Sequence, residues 1–181
     1  STFIDLFTRL IQPQKGCIKI DNSLLSFSED TSWRSKLTYV PQSIFLIDST
    51  IKENILFGVE DTEPDEERLN EVIEKAQLTN FLKKLPNGLD TKVGERGLSL
   101  SGGERQRIGL ARALYRDTEI MIFDESTNSL DISTEDKVIK EILKLRKNKT
   151  ILMIAHRLST LEKCDYFLKV ENKSITKSSS L

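Results

Sequence analysis

The sequence predicts an α/β fold with a parallel sheet at its core. Two runs, Ile120–Phe123 and Thr150–Ala155, have the continuous apolar character of strands that are covered on both faces. A stretch of helical periodicity, Thr134–Arg146, lies between them. A strand, a helix and a second strand form a βαβ unit, which predicts parallel pairing and a right-handed crossover.

One helix and two short strands are predicted ahead of this unit. The first apolar residues have the i, i+3, i+4 and i+7 spacing of one helix face: Phe3, Leu6, Phe7 and Leu10. After a turn at Pro13 and Gly16, Cys17–Ile20 is expected to form a short strand. A second strand is expected at Leu37–Val40, ending just before Gln42.

Between about residues 51 and 116 the pattern becomes helical. Apolar residues recur there on one helix face: Leu69, Val72, Ile73 and Ala76. We therefore predict a helical subdomain of about 51–116 inserted into the sheet domain. A last strand is expected at Tyr166–Val170, and the Ser- and Lys-rich segment 173–181 is expected to be a flexible tail.

Composition limits the possible functions. A chain of 181 residues with 38% hydrophobic residues suits one globular domain, and a net charge of −1 argues against a broad nucleic-acid-binding face. Cys17 and Cys164 have no metal-ligand spacing, which favours free thiols in a reducing compartment. The longest apolar runs are far shorter than the roughly 18 residues typical of a transmembrane helix.

A helix start with a phosphate-binding character is predicted at Ser101. Ser101 and Glu104 have capping-box spacing, in which the hydroxyl caps the third helical N–H and the carboxylate reaches back to the Ser101 N–H. Gly102 and Gly103 remove the side chains from the first turn. This leaves N–H groups and the positive end of the helix dipole open to an anion such as a phosphate.

Two carboxylates follow the strand Ile120–Phe123. Ligands of open α/β sheets bind at the carboxyl ends of the strands, where Asp124 and Glu125 lie. Successive residues of a strand face opposite sides, so the two carboxylates can serve different ligands although they are adjacent.

These motifs resemble those of the nucleotide-binding domain of ATP-binding-cassette (ABC) transporters. Leu100–Glu104 is similar to the family signature and Ile120–Glu125 to its Walker B motif. Three further matches follow the family order: Gln42 for the Q-loop, Ser129-Leu130-Asp131 for the D-loop and His156 for the switch histidine. The resemblance implies a P-loop NTPase-like sheet core, and it covers essentially the whole chain.

Ser1-Thr2 resembles the last two residues of the Walker A motif, Gly-x-x-x-x-Gly-Lys-Ser-Thr. The glycines and the lysine are absent and the chain has no initiator Met, so we interpret Ser1 as a cut inside a longer protein whose N-terminal strands are missing. We therefore expect residues 1–181 alone to be inactive as an ATPase and to bind little ATP. Loss of the P-loop strand is also expected to leave an unpaired sheet edge beside the strand of Asp124.

The resemblance implies ATP and Mg²⁺ as ligands. Asp124 would hold the Mg²⁺ shell, and Glu125 would orient or deprotonate the attacking water. The other contacts that the family implies are Ser1 and Gln42 as Mg²⁺ ligands, Thr2 on a phosphate, and His156 on the γ-phosphate and Glu125. Gln42 and His156 thereby join Glu125 in the catalytic set.

The resemblance also implies partners. In the family the signature, here Ser101, Gly102, Gly103 and Glu104, completes the nucleotide site of a second nucleotide-binding domain, and Asp131 crosses that interface. The working unit would be a head-to-tail dimer, which we expect to be a homodimer. Nucleic acid is not expected as a partner. A transmembrane domain is expected N-terminal on the same chain, which places this domain on the cytoplasmic face of a membrane.

Three functions remain open at this point. The first is the ATPase domain of an exporter or lipid flippase, favoured by Thr91–Gly97 with Glu95, which resembles an exporter loop that meets the transmembrane partner. The second is a non-transport ABC ATPase acting on nucleic acid or the ribosome, and the third is a non-hydrolysing scaffold. Each motif also has a plain structural interpretation when taken alone, such as a well-capped helix at Ser101. The exported substrate is not encoded in these motifs.

Overall fold

Short strands alternate with helices along the described part of the chain. The computed structural model describes residues 2–26, 29–59, 63–94, 97–155, 157–171 and 174–178. The helices are α1 (Thr2–Phe7), α2 (Asp30–Ser35), α3 (Ile51–Ile55), α4 (Glu66–Lys75), α5 (Thr79–Leu82), α6 (Gly102–Arg116), α7 (Ile132–Lys144) and α8 (Leu158–Leu161). The strands are β1 (Lys19–Ile20), β2 (Ser23–Leu24), β3 (Leu37–Val40), β4 (Ser49–Thr50), β5 (Lys92–Val93), β6 (Ile120–Asp124), β7 (Thr150–Ile154), β8 (Phe167–Glu171) and β9 (Ser174–Ser178).

A three-stranded parallel sheet of order β3-β6-β7 forms the centre of the fold. Leu37 pairs with Ile120 and Ile120 with Thr150, so all three strands run in the same direction and end at the same edge. The helix α7 connects β6 to β7. The predicted α/β class, the strand at Leu37–Val40 and the βαβ unit are confirmed.

The strand β6 lies in the middle of this sheet and is paired on both sides. The expectation of an unpaired edge beside the strand of Asp124 is therefore wrong. Within the described residues the sheet ends at β3 and β7, and Ile151–Ile154 of β7 is half-buried rather than buried, because that strand has a neighbour on one side.

The largest apolar cluster surrounds α6. Nearly the whole of one face of α6 is buried, and it packs against α3, α4 and β3. The predicted apolar face of α4 is confirmed, because Leu69, Val72, Ile73 and Ala76 are all buried. The guanidinium of Arg112 on α6 donates to the main-chain oxygens of Asn54 (2.8 Å) and Phe45 (3.1 Å), which ties α6 to α3 and to the segment after β3.

At the N-terminus the predicted helix forms, but its buried face differs from the prediction. Ile4 is buried and Leu10 is 65% exposed. Arg9 adopts a left-handed φ of 60°, so the helix ends before Leu10 can continue its face. Trp33 of α2 donates from its indole nitrogen to the Phe7 oxygen at 2.7 Å, which fixes α2 against the end of α1.

The last two strands of the described part of the chain pair with each other. Residues 174–178 form β9, which pairs antiparallel with β8 from Phe167 opposite Ser178 to Glu171 opposite Ser174. This differs from the flexible tail predicted for 173–181, of which Lys173 and residues 179–181 lie outside the described residues. Cys17 and Cys164 are free thiols, as predicted. Among the described residues, none of the helices has the length and apolar character needed to cross a bilayer.

Candidate functional site

The carboxyl end of β6 brings the predicted acidic pair to the edge of the sheet. Asp124 is the last residue of the strand, and Glu125 follows it with a left-handed φ of 47°. The Glu125 main-chain N–H donates to the Ile154 oxygen of β7 at 2.9 Å, so the turn is anchored to the neighbouring strand. A left-handed conformation is uncommon for a residue with a side chain, and it persists only where the surroundings hold it.

Two amide side chains hold the Glu125 carboxylate. Gln42, two residues after β3, donates from Nε2 to Glu125 Oε2 at 2.7 Å. Asn128 donates from Nδ2 to the same oxygen at 2.9 Å. The structure thus brings Gln42 and Glu125 together through the Gln42 amide nitrogen, a contact that sequence reasoning did not predict, and adds Asn128, to which sequence reasoning also assigned no contact.

Tyr39 contacts the other carboxylate. Its hydroxyl donates to Asp124 Oδ2 at 2.8 Å across the β3–β6 pair. Burial raises the pKa of Tyr39 to about 12, and the hydrogen bond to Asp124 and the charge of that carboxylate act in the same direction. Tyr39 therefore remains a neutral hydrogen-bond donor over the physiological pH range. The sequence pattern gave no signal for this contact.

The predicted capping box at the start of α6 is confirmed. Ser101 is the N-cap, and its Oγ accepts from the Glu104 N–H at 3.3 Å. Glu104 Oε2 accepts in turn from the Ser101 N–H at 2.8 Å. These two hydrogen bonds fix the first turn of α6, whose N-terminus is the positive end of the helix dipole.

The two glycines of this turn also make room for the loop between β6 and α7. A Cβ on Gly103 would lie 3.0 Å from the Ser129 carbonyl oxygen, and one on Gly102 would lie 3.3 Å from the Ser129 side chain. Gln106, which is 4% exposed, accepts from the Ser129 N–H at 2.9 Å. The glycines therefore serve a packing role beside the anion-binding role that the sequence predicts.

Asp131 lies at the end of this loop and caps α7. Its carboxylate accepts from the Thr134 N–H at 3.0 Å, and hydrogen bonds to Thr134 lower the pKa of Asp131. Asp131 and the start of α6 line one open cleft of about 560 Å³. Its walls are Ser101, Gly102, Gly103, Arg107, Ser129, Leu130, Asp131 and Thr134. The signature turn and Asp131 thus share a surface.

A buried carboxylate that sequence reasoning missed lies behind this loop. Glu135 of α7 is 5% exposed, accepts from the Thr127 hydroxyl at 2.9 Å and forms an ion pair with Arg157. The available signal was its position, since Glu135 stands at the first position of the i, i+3, i+4, i+7 stripe that Val138, Ile139 and Ile142 continue. Gln106 interrupts the buried face of α6 in the same way.

Several predicted site residues lie outside the described residues: Ser1, Glu95 and His156. Thr2 is described as the first residue of α1. The suggested contacts of these residues with phosphates or partners stay predictions.

The donor set at the sheet edge fits a divalent ion held together with phosphates. One carboxylate, on Asp124, lies at the end of β6, and the amide of Gln42 lies within reach of Glu125 beside it. Mg²⁺ prefers oxygen ligands, and it is usually held by one or two carboxylates together with water and phosphate oxygens. Within the described part of the chain no group of three or more His, Cys, Asp or Glu side chains could hold a metal by itself.

Comparison with protein-family models places most of the chain in one family. The model of the ABC transporter family matches residues 1–128. That match includes Gln42, the signature turn, Asp124 and Glu125.

Individual relatives carry the names of a flippase, a putative export protein and an exporter. The chain is 41% identical over 180 residues to an ATP-dependent lipid A-core flippase of Vibrio vulnificus, and these residues are 99% of this chain and 31% of the flippase. It is 38% identical over 180 residues to a putative export ATP-binding/permease protein of Rickettsia felis, again covering 99% of this chain and 31% of the relative. A solved bacterial Atm1-family ABC exporter with ATP bound superposes with a TM-score of 0.90 at 35% identity, over 98% of this chain and 31% of the exporter. The chain thus spans about a third of the length of these relatives.

Proposed function

Because the chain belongs to the ABC transporter family, we propose that it forms part of an ATP-hydrolysing domain that powers export or lipid flipping. The observation that carries this proposal is the pair of carboxylates at the end of β6, with Glu125 held by Gln42 at 2.7 Å. Such a carboxylate can act on a water beside a phosphate. The names of the relatives, a lipid A-core flippase and an export permease, support the direction of transport.

We propose that Mg²⁺ and ATP bind at this edge of the sheet. Asp124 and the Gln42 amide oxygen would hold the metal, with Ser1 as a further ligand, and the ion would supply charge neutralisation on the phosphates. Tyr39 donates to Asp124 and so orients that carboxylate. Thr2 would contact a phosphate.

Glu125 would orient the attacking water and accept its proton. Phosphoryl transfer depends chiefly on positioning and electrostatics, so a fixed carboxylate is what this step requires. Two N–H donors, from Gln42 and Asn128, fix Oε2 of Glu125. His156, which follows the neighbouring strand β7 in the sequence, would contact the γ-phosphate.

The signature turn would act on a second copy of the domain. The cleft that Ser101, Gly102, Gly103 and Asp131 line is open, and the start of α6 has the geometry of an anion site. A partner's γ-phosphate would complete this cleft, with Glu104 holding the capping box. The proposed assembly is a head-to-tail homodimer that encloses two nucleotides.

A membrane domain would dock where aromatic side chains are exposed. Phe45 is 71% exposed and Phe57 47% exposed, and the guanidinium of Arg112 lies 5.4 Å from the Phe57 ring centre. Phe45 lies three residues after Gln42 in the sequence. Both phenylalanines contact Arg112 of α6, through the Phe45 main-chain oxygen and the Phe57 ring. The proposed location is the cytoplasmic face of a membrane.

The test is Glu125→Gln in the full-length protein. The amide keeps the shape of the carboxylate but is a poor base, and a general base typically contributes 100-fold or more to a rate. We expect ATP hydrolysis to fall by about 100-fold or more, with ATP binding retained and a closed dimer trapped. Steady-state turnover and native mass spectrometry measure these effects.

The matched control is Glu119→Gln, at the residue that directly precedes the same strand. Glu119 is exposed and forms a surface ion pair with Lys36 at 3.3 Å, so this change should leave turnover unchanged. Turnover like that of the wild type in Glu125→Gln would remove Glu125 from the catalytic role. Absence of ATP hydrolysis in the wild type would overturn the proposed function itself.

A further inference from the structure

Glu135 places a carboxylate where the fold would accept an apolar side chain. It lies on the buried face of α7 with Val138, Ile139 and Ile142, and its side chain is 6% exposed. Removing an ionised carboxylate from water costs several kcal/mol unless hydrogen bonds and an opposite charge compensate it. The contacts of this carboxylate therefore indicate what it does.

Both oxygens of Glu135 have partners from distant parts of the chain. The Thr127 hydroxyl, itself in a residue 6% exposed, donates to Oε1 at 2.9 Å. Arg157 Nη1 donates to Oε2 and forms the ion pair, with the Arg157 side chain 38% exposed. One carboxylate thus joins the loop after β6, the first turns of α7 and the segment after β7.

Each of the joined segments carries a residue of the candidate site. Thr127 lies two residues after Glu125 in the loop that leads to Asp131. Arg157 follows His156 directly in the sequence. The tie at Glu135 therefore fixes the loop 125–131 against the carboxyl end of β7.

We propose that Glu135 and Arg157 are positioning residues for Glu125. Their ion pair, with Thr127 as the third member, holds the loop 125–131 in the conformation that gives Glu125 its left-handed φ and its contacts with Gln42 and Asn128. This inference rests on the proposed ATPase function. Glu135 and Arg157 do not touch the reacting atoms; they act through the loop.

A contribution to stability alone explains this arrangement poorly. Replacing a buried ion pair by well-packed apolar residues is often neutral or stabilising, so burial of a charge is weak evidence for a stabilising role. A second ion pair, between Asp136 of α7 and Lys163 after α8, shows the contrast. Asp136 and Lys163 lie 3.5 Å apart with half-exposed side chains, where an ion pair contributes little.

The test is a double-mutant cycle in the full-length protein. Glu135→Gln keeps an acceptor for Thr127 and removes the charge that Arg157 needs, while Arg157→Met removes the cation and keeps the aliphatic stem. We expect each single variant to lower kcat tenfold or more with KM for ATP changed less than twofold. The double variant should be no slower than either single variant, because the two residues act as one unit.

A conservative variant and a neighbouring residue complete the design. Arg157→Lys retains a charge but not the planar fork, so it should recover part of kcat. Asp136→Asn, the next residue of α7, should leave kcat unchanged. If kcat per nucleotide-binding site equals that of the wild type in both single variants, or if their losses multiply in the double variant, the positioning role is wrong.

Hydrogen exchange tests the tie independently of turnover. In Arg157→Met the main-chain amides of Asn128 and Ser129 should exchange at least tenfold faster, and in Asp136→Asn they should exchange as in the wild type. Unchanged exchange in Arg157→Met overturns this inference. A wild type without ATP hydrolysis overturns the proposed function instead, and the exchange rates then decide whether the tie exists.

Discussion

At the scale of single residues, Tyr39 and Asp124 form a contact whose strength depends on pH. The hydroxyl donates to Asp124 Oδ2 at 2.8 Å, and burial, followed by the interactions with Asp124, raises the pKa of Tyr39 to about 12. Ionising this tyrosine would place a second negative charge beside the carboxylate. The protonated form is therefore bound more strongly in the folded state than in the unfolded chain.

We predict that Tyr39→Phe removes one titration step and one source of alkaline instability. Because the folded pKa is raised above the ordinary value of about 10, the stability that Tyr39 contributes is fully present below pH 10. It is lost as the pH rises from about 10 to about 12. Tm in this window should fall less in the variant than in the wild type, and the difference in absorbance at about 295 nm between the two should titrate near pH 12.

The matched control is Tyr166→Phe, which makes the same change at a tyrosine that is 48% exposed and directly precedes β8. It should leave the step near pH 12 in place. A difference titration for Tyr39→Phe centred near pH 10 would show that Asp124 does not hold this hydroxyl in solution.

At the scale of elements, α6 and the loop 125–131 are held together by one buried amide. Gln106 accepts the Ser129 N–H at 2.9 Å, and Gly103 lets the Ser129 carbonyl approach the first turn of α6. The signature turn is therefore coupled in the same chain to the loop that follows Glu125. A movement of α6 would therefore displace that loop.

We predict that Gln106→Met loosens the loop without unfolding α6. Methionine fills a similar volume but accepts hydrogen bonds weakly, so the Ser129 N–H would lose its partner. A buried donor left unsatisfied costs about 1–3 kcal/mol, which corresponds to roughly 5- to 150-fold faster amide exchange at Ser129. Hydrogen exchange of the full-length protein measures this.

Arg116→Met, at the exposed last residue of the same helix, is the control and should leave exchange at Ser129 unchanged. If Gln106→Met also leaves it unchanged, another contact holds the loop. If both variants accelerate exchange equally, the effect belongs to helix stability and not to the Gln106 contact.

Local sequence patterns predicted the elements whose structure depends on residues close together in the sequence. The apolar runs at Leu37–Val40 and Ile120–Phe123 gave the central strands, and Ser101 with Glu104 gave the start of α6. The strand β9 was missed because Ser174–Ser178 is polar except for Ile175, and its pairing with β8 is a tertiary effect. Polar contacts across the fold, such as Tyr39 with Asp124, have no local signature. Glu135 and Gln106 did have one, as polar residues on otherwise buried faces.

At the scale of the whole molecule, the first turn of α6 has its capping hydrogen bonds formed, and an open cleft lies beside it. The capping box occupies the Ser101 and Glu104 side chains, and the cleft beside it includes Asp131 and Arg107. Arg107 donates to the Gln77 oxygen at 2.9 Å, so its guanidinium is anchored at the cleft wall. An anion in this cleft would meet main-chain N–H groups and the positive end of the α6 dipole.

We predict that Ser101→Arg blocks dimer closure while ATP still binds to each subunit. The bulky cation would fill the helix N-terminus that the proposed assembly reserves for the γ-phosphate of the partner. Ser101→Thr, which keeps a capping hydroxyl, is the matched control and should close normally. Binding of a fluorescent ATP analogue and ATP-dependent cross-linking between the two domains separate the two steps. If Ser101→Arg lowers ATP affinity as much as it lowers cross-linking, the start of α6 contacts the nucleotide of its own subunit, and the head-to-tail arrangement is wrong.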